Sequence, residues 1–239
     1  MARPLTSRPQ LSDEVAAHLR EAIMSGALRP GQFVRLDAVA AELGVSVTPV
    51  REALLALRGE DMVELEPRRG FVVSPLSRRD VEDMFGLQAD LAAELAARAT
   101  ELISPEQLRH AEQVAAELAA ARGHQEISAL EFEFHRLINK TAGSRKLARF
   151  LDMASRHIPA RVYTADPEWH RQVVADHAAL VDALRSRDPD AARAATLSHL
   201  RDGEQRLLRH LDAVGMWSTP DGPDGGNPGF PTTHRPSTR

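Results

Sequence analysis

The chain has 239 residues, enough for one large or two modest domains with adequate cores. It is 43% hydrophobic and 27% charged but only 4% aromatic, so alanine and leucine supply most of the packing and helices are favoured over strands. The absence of cysteine excludes disulfides and thiolate chemistry, and a net charge of −4 confers no general affinity for nucleic acid.

The first 79 residues are nearly neutral, with 11 Lys+Arg against 10 Asp+Glu, so any DNA contact depends on where the arginines sit. "LSDEVAAHLREAIMSGAL" places Leu11, Val15, Leu19 and Ile23 on one helical face. After a turn at "RPGQ", Leu36, Val39, Ala40 and Leu43 predict a short helix stopped by Gly44. The stretch "GVSVTPVREAL" opens another, with Val50, Leu54 and Leu57 as its apolar stripe. Beyond Gly59 the period falls to two: "MVELEP" alternates, "RRG" turns and "FVVSP" returns, which predicts a hairpin.

From Ser77 onward no strand pattern recurs. "SRRD" and "SPEQ" carry capping signatures for helices at 77–102 and from 104. Further helices are expected over 125–141, from Ser144 with a kink at Pro159, after "DPEW" and after "DPDA". The expected fold is mainly α: a winged helix-turn-helix over 8–75, an all-helical bundle of about six helices over 77–214, and a Pro- and Gly-rich disordered tail over 215–239. No apolar run reaches membrane-spanning length and no signal peptide is recognisable, so a cytoplasmic protein without a membrane partner is expected.

Three short helices and a hairpin leave open both a DNA-binding module and a small helical domain of other purpose. If the third helix enters a major groove, its N-terminus must approach DNA closely. Ser46 and Thr48 are small enough to allow that and can donate to phosphates, and Pro49 sits where helical N–H groups lack partners anyway. Arg51 projects opposite Val50 and Leu54 and can meet a guanine edge or a phosphate. Arg35, before the second helix, and Arg68 and Arg69, at the hairpin turn, complete the candidate cations.

In the second domain several polar residues fall on apolar stripes, where they cost free energy unless satisfied. Glu131 and His135 lie four apart along the face of Ile127, Leu130, Phe134 and Ile138. His177 falls between Val173 and Leu180, and His199 shares a face with Ala192, Ala195 and Thr196. Three histidines and a carboxylate on three helices suit a divalent metal, Zn²⁺ foremost, with Ni²⁺ or Mn²⁺ as alternatives. On spacing alone, histidines that are simply hydrogen-bonded in the core are the commoner case.

The run "LDAVAAELGVSVTPVREALLALRGEDMVELEPRRGFVVSPLS" resembles the GntR family of bacterial transcription regulators, most specifically from Val45 to Leu54. The helical part resembles the effector domain of the FadR subfamily (FCD type), so the resemblance covers about residues 8–214. It implies that Ser46, Thr48 and Arg51 contact an operator and that Gly70 enters the minor groove. Many members carry arginine where this chain has Val47; valine cannot donate to guanine, so the base read there differs or the contact is apolar. The resemblance also implies a metal bound through an Asp-x-x-x-His pair and two later histidines, here with Glu131 in place of the aspartate, and a small carboxylate effector. Many relatives have arginine at the position of Gln88, which points inward. Either the effector is less acidic, with Gln88 meeting it, or Arg161 supplies the charge, or Gln88 merely bonds a neighbour.

The expected function is a ligand-responsive regulator, most readily a repressor, binding a palindromic operator as a homodimer and released by an organic acid. Two other readings compete: a metal-dependent hydrolase, against which stands the absence of HExxH and nucleophile-elbow motifs, and a DNA-binding protein with a ligand-free dimerisation bundle, against which stands the inward polar cluster.

Overall fold

The computed structural model describes residues 11–164 and 166–217. They fall into two compact units, one formed by the chain up to Leu76 together with residues from Ala213, the other by Ser77–Asp212. No helix among the described residues is long and apolar enough to cross a membrane.

The first unit contains α1 (Leu11–Met24), β1 (Phe33–Val34), α2 (Leu36–Leu43), α3 (Val47–Gly59), β2 (Val63–Glu66) and β3 (Gly70–Val73). Val15, Leu19 and Ile23 of α1 are buried, and α1 packs against α3, where Val50, Ala53, Leu54 and Leu57 are fully enclosed. Burial of each such leucine contributes about 1.5–3 kcal/mol. Leu11 leaves the expected stripe and is exposed. The Arg20 guanidinium donates to both carboxylate oxygens of Glu60, at 2.8 and 2.9 Å, tying α1 to the end of α3. Gly44 ends α2 in the left-handed conformation, and its N–H donates to Ala40 O.

The hairpin forms as expected, with Val63 opposite Val73 and Glu66 opposite Gly70. A third strand, β1, joins β3 on its other edge, giving the order β1-β3-β2. Two residues are too short to show a period, so this strand has no sequence signature. Residues 214–217 also belong to this unit. Met216 is buried, and the Arg29 side chain donates to the carbonyls of Val214 and Gly215. Gly26 is required here: its φ is +79°, and a Cβ would lie 2.8 Å from Val214 Cγ2. The expected tail thus begins with an ordered turn at 215–217, while 218–239 lie outside the described residues.

The second unit contains α4 (Arg78–Leu102), α5 (Pro105–Ala120), α6 (His124–Thr141), α7 (Arg145–Ser155), α8 (Ala160–Thr164), α9 (Pro167–Ser186) and α10 (Pro189–Ala213). Capping boxes open α4 at Ser77 and α5 at Ser104, each with the side-chain and backbone bonds in both directions. Asp166 caps α9, whereas Ser144 makes no capping bond to α7. The expected kink at Pro159 is a full break, which makes seven helices of the described residues rather than about six. Phe134 and Ile138 of α6 pack with Leu180 and Leu184 of α9, while Ala96, Ala99, Ala111 and Ala192 let the helix backbones approach. The Arg187 guanidinium donates to the carbonyls of Thr100, Glu101 and Ile103, satisfying acceptors that the end of α4 leaves open. Among these apolar contacts Gln88, Asp176, His177 and Thr196 are buried polar residues.

Candidate metal centre and DNA-reading helix

Glu131 and His135 sit one turn apart on α6, His177 comes from the middle of α9 and His199 from α10. Their potential ligand atoms all lie within 4.8 Å of one another. Glu131 Oε1 is 3.2 Å from His135 Nε2 and 3.3 Å from His199 Nε2, and Glu131 Oε2 is 3.1 Å from His177 Nε2. The Nε2 atoms of His135 and His177 are 3.4 Å apart. Atoms held about 2.0–2.1 Å from one tetrahedral ion lie about 3.3–3.4 Å from each other. Several pairs therefore already have that spacing, counting both Glu131 oxygens, while the four donors as a set lie within 4.8 Å.

Hydrogen bonding accounts for part of this crowding, since His135 Nε2 is within reach of Glu131 Oε1 and of His177 Nε2. Glu131 Oε2 is buried without a hydrogen-bond partner despite its approach to His177, and so are the Nδ1 atoms of His177 and His199 and Oδ2 of Asp176. Buried polar atoms left this way are uncommon, and an ion among the four side chains would satisfy Glu131 Oε2. The residues present fit a divalent cation, with three imidazoles and a carboxylate suiting Zn²⁺ and its neighbours. The arm of Glu131 reaches all three histidines. The His177 ring stacks on Phe134, at 3.9 Å between centroids and 12° between planes, which pins its orientation. Asp176, which the sequence reading missed, lies with Oδ2 3.4 Å from His199 Nδ1 and accepts from Gln172 Nε2 on its other oxygen at 2.9 Å. It can orient His199 as carboxylates orient metal-bound histidines elsewhere.

Burial lowers the His177 pKa to about 4, outweighing the pull of Glu131. Burial acts the same way on His199, but Asp176 and Glu131 overcome it and hold that ring protonated. Burial also opposes ionisation of Glu131, yet the adjacent His177 and His135 hold its carboxyl well below the ordinary value.

The cluster forms part of the wall of a cavity of about 270 Å³, bounded also by Gln88, Phe85, Phe132, Tyr163 and Trp169. Gln88 is buried and donates from Nε2 to Ala154 O at 3.1 Å. Arg161 is exposed on α8, and it is the neighbouring Ala160, Tyr163 and Thr164 that line the cavity.

In the first unit, α3 begins at Val47 with Ser46 as N-cap, whose side chain makes no capping bond. Ser46, Thr48 and Arg51 are exposed, Val47 is half-buried, and Pro49 is buried under the helix start. Arg35, the N-cap of α2, is exposed. Arg68 has a φ of 66° and is exposed at the turn between β2 and β3. Arg69 pairs with Glu66 at 2.8 Å and lies over the Phe33 ring, 4.4 Å from its centroid. Gly70 has a φ of +102° with open space around its α-carbon, so backbone conformation rather than crowding requires glycine there.

A winged helix-turn-helix beside a helical bundle with an inward, metal-suited cluster is the plan of a DNA-binding regulator with a sensing domain. Residues 11–73 match the bacterial regulatory proteins of the gntR family, and residues 83–202, half of the chain, match the FCD domain. The chain belongs to the GntR family of bacterial transcription regulators, with an FCD-type effector domain, and is a ligand-responsive regulator rather than an enzyme. An uncharacterized HTH-type transcriptional regulator of Mycobacterium tuberculosis is 25% identical over 231 residues, 95% of both chains. A protein of Paenarthrobacter nicotinovorans named "Probable D-xylose utilization operon transcriptional repressor" is 28% identical over 82% of this chain and 89% of its own. Among solved structures, Escherichia coli McbR aligns with a TM-score of 0.66 at 22% identity, over 86% of this chain and 99% of that one, which supports the fold.

Proposed function

We propose that the protein is a homodimeric repressor of the FadR subfamily, acting in the cytoplasm and released from a palindromic operator by a small organic acid. The observation that carries this reading is the convergence of Glu131, His135, His177 and His199, three of which line a largely apolar cavity. A Zn²⁺ ion bound there would supply a Lewis-acid anchor for a carboxylate. Asp176 would hold the His199 ring, and Gln88 would meet the rest of the ligand. On the DNA side Ser46, Thr48 and the free N–H groups of α3 would bind phosphates, Arg51 and Val47 would meet base edges, and Arg35, Arg68, Arg69 and Gly70 would flank them. A repressor's name for one relative and the two-fold symmetry of palindromic sites support repression by a dimer. The ligand releases DNA only if it binds more tightly to the dimer geometry that mismatches the half-site spacing.

The test is selection of bound DNA from a random pool, repeated with and without a panel of carboxylates. A palindrome enriched alone and lost with one compound is expected; enrichment of no palindrome defeats the reading. Elemental analysis tests the metal separately. The His135→Ala/His177→Ala double variant should retain no zinc, and stoichiometric zinc in it would refute the assigned ligands.

A further inference from the structure

The charge and polarity of the cavity wall narrow the ligand beyond "an organic acid", and the inference rests on the metal-anchored carboxylate proposed above. Among the described residues that line the cavity there is no lysine and no arginine; its ionisable groups are Glu131, His135 and His199 of the cluster itself. An anion inside therefore finds a counter-charge only at the ion. A second carboxylate held against the wall would find no lysine or arginine there, which is disfavoured.

Ser128, Asn139 and Ser155 are half-buried polar residues of the wall, and three further hydroxyls are already committed. The Tyr163 hydroxyl donates to Gly203 O at 3.0 Å, and the hydroxyls of Thr164 and Thr196 donate to Ala160 O and Ala192 O in their own helices. What the wall mainly offers is apolar surface from Phe85, Phe132, Leu151, Ile158 and Trp169. The volume of about 270 Å³ lies at the small end of ligand pockets.

Gln88 differs from them in being buried with one side-chain atom unpaired. Its side chain is 1% exposed; Nε2 donates to Ala154 O, while Oε1 has no partner. A backbone carbonyl only accepts, so the amide orientation is set by chemistry and the unpaired atom is the acceptor. It calls for a hydroxyl or N–H group and repels a carboxylate. We infer that the cavity takes a small acid with a single carboxylate, an apolar body and one hydrogen-bond donor turned toward Gln88.

The alternative is a dianion reaching outward. A second hollow of about 460 Å³ shares Phe132, His135 and Asn139 with the first and is lined by Lys140 and Arg145. Calorimetric titration of the zinc-loaded full chain with mandelate, phenylacetate and phenylsuccinate separates the two. Mandelate should bind about tenfold more tightly than phenylacetate, which lacks the donor, and more tightly than phenylsuccinate, which carries a second carboxylate. The near-isosteric Gln88→Met should bring mandelate and phenylacetate within about twofold of each other, with zinc content unchanged. A Lys140→Ala/Arg145→Ala variant, which leaves the cavity intact, should keep the mandelate affinity within about twofold. The inference is overturned by tightest binding of phenylsuccinate, by a mandelate preference that survives Gln88→Met, by loss of mandelate affinity in the Lys140/Arg145 variant, or by failure of all three acids to bind at millimolar concentration. A wild-type chain that takes up no zinc overturns the metal reading together with it, whereas a zinc-loaded chain that prefers the dianion overturns this inference alone.

Discussion

Arg51 stands exposed one turn into α3, while the next residues along the helix, Ala53, Leu54 and Leu57, hold the helix against α1. Its loss removes one cation without disturbing the core. Arg51→Ala should therefore weaken operator binding by roughly 1–3 kcal/mol in a gel-shift titration at fixed salt, with the thermal midpoint unchanged. Val47→Arg should shift the base selected opposite it toward guanine, read by repeating the random-pool selection. In the helical unit, Glu131 and His135 were legible because a spacing of four puts both on one face. Asp176 was passed over because it precedes His177 by one position, about 100° around the helix. The usable signal was its place between Val173 and Leu180, three and four residues away, on the buried stripe.

At the scale of elements, caps were the most dependable marks. Ser77 and Asp80 form a reciprocal box in which the Ser77 N–H and hydroxyl donate to Asp80 Oδ2 at 2.7 and 2.6 Å. Ser77→Ala should cost the helical unit about 0.5–2 kcal/mol by denaturant titration. These bonds, the side-chain one foremost, lower the Asp80 pKa below 3.8. The carboxylate's share of the box is therefore complete above that value and lost as pH falls through the lower folded pKa. The stability gap between wild type and Asp80→Asn should accordingly close only in strong acid. Ser144 has a capping residue's identity but makes no capping bond, since side-chain type permits a cap without compelling it. The break between α7 and α8 and the short strand β1 were equally hidden, the first in one proline and the second in two residues.

For the whole molecule, the candidate ligand set draws on three helices of the second unit, so a bound ion would link segments far apart in the sequence. Removing it should lower the unit's stability by about 2.7 kcal/mol when the free ion stood at one hundred times its dissociation constant, a shift of several degrees in the thermal midpoint. Chelation should produce that shift in wild type and none in His177→Ala, as followed by calorimetry. Apolar period, capping residues and the stretch from Val45 to Leu54 sufficed for the order of helices, the hairpin and the likeness to a regulator family, because each is a short-range pattern. Packing alone could bring His135 and His177, 42 positions apart, to 3.4 Å, leave Gln88 Oε1 unpaired and keep every lysine and arginine out of the described cavity wall. Those features arise from long-range contact between faces, and residue spacing along one chain carries no measure of it.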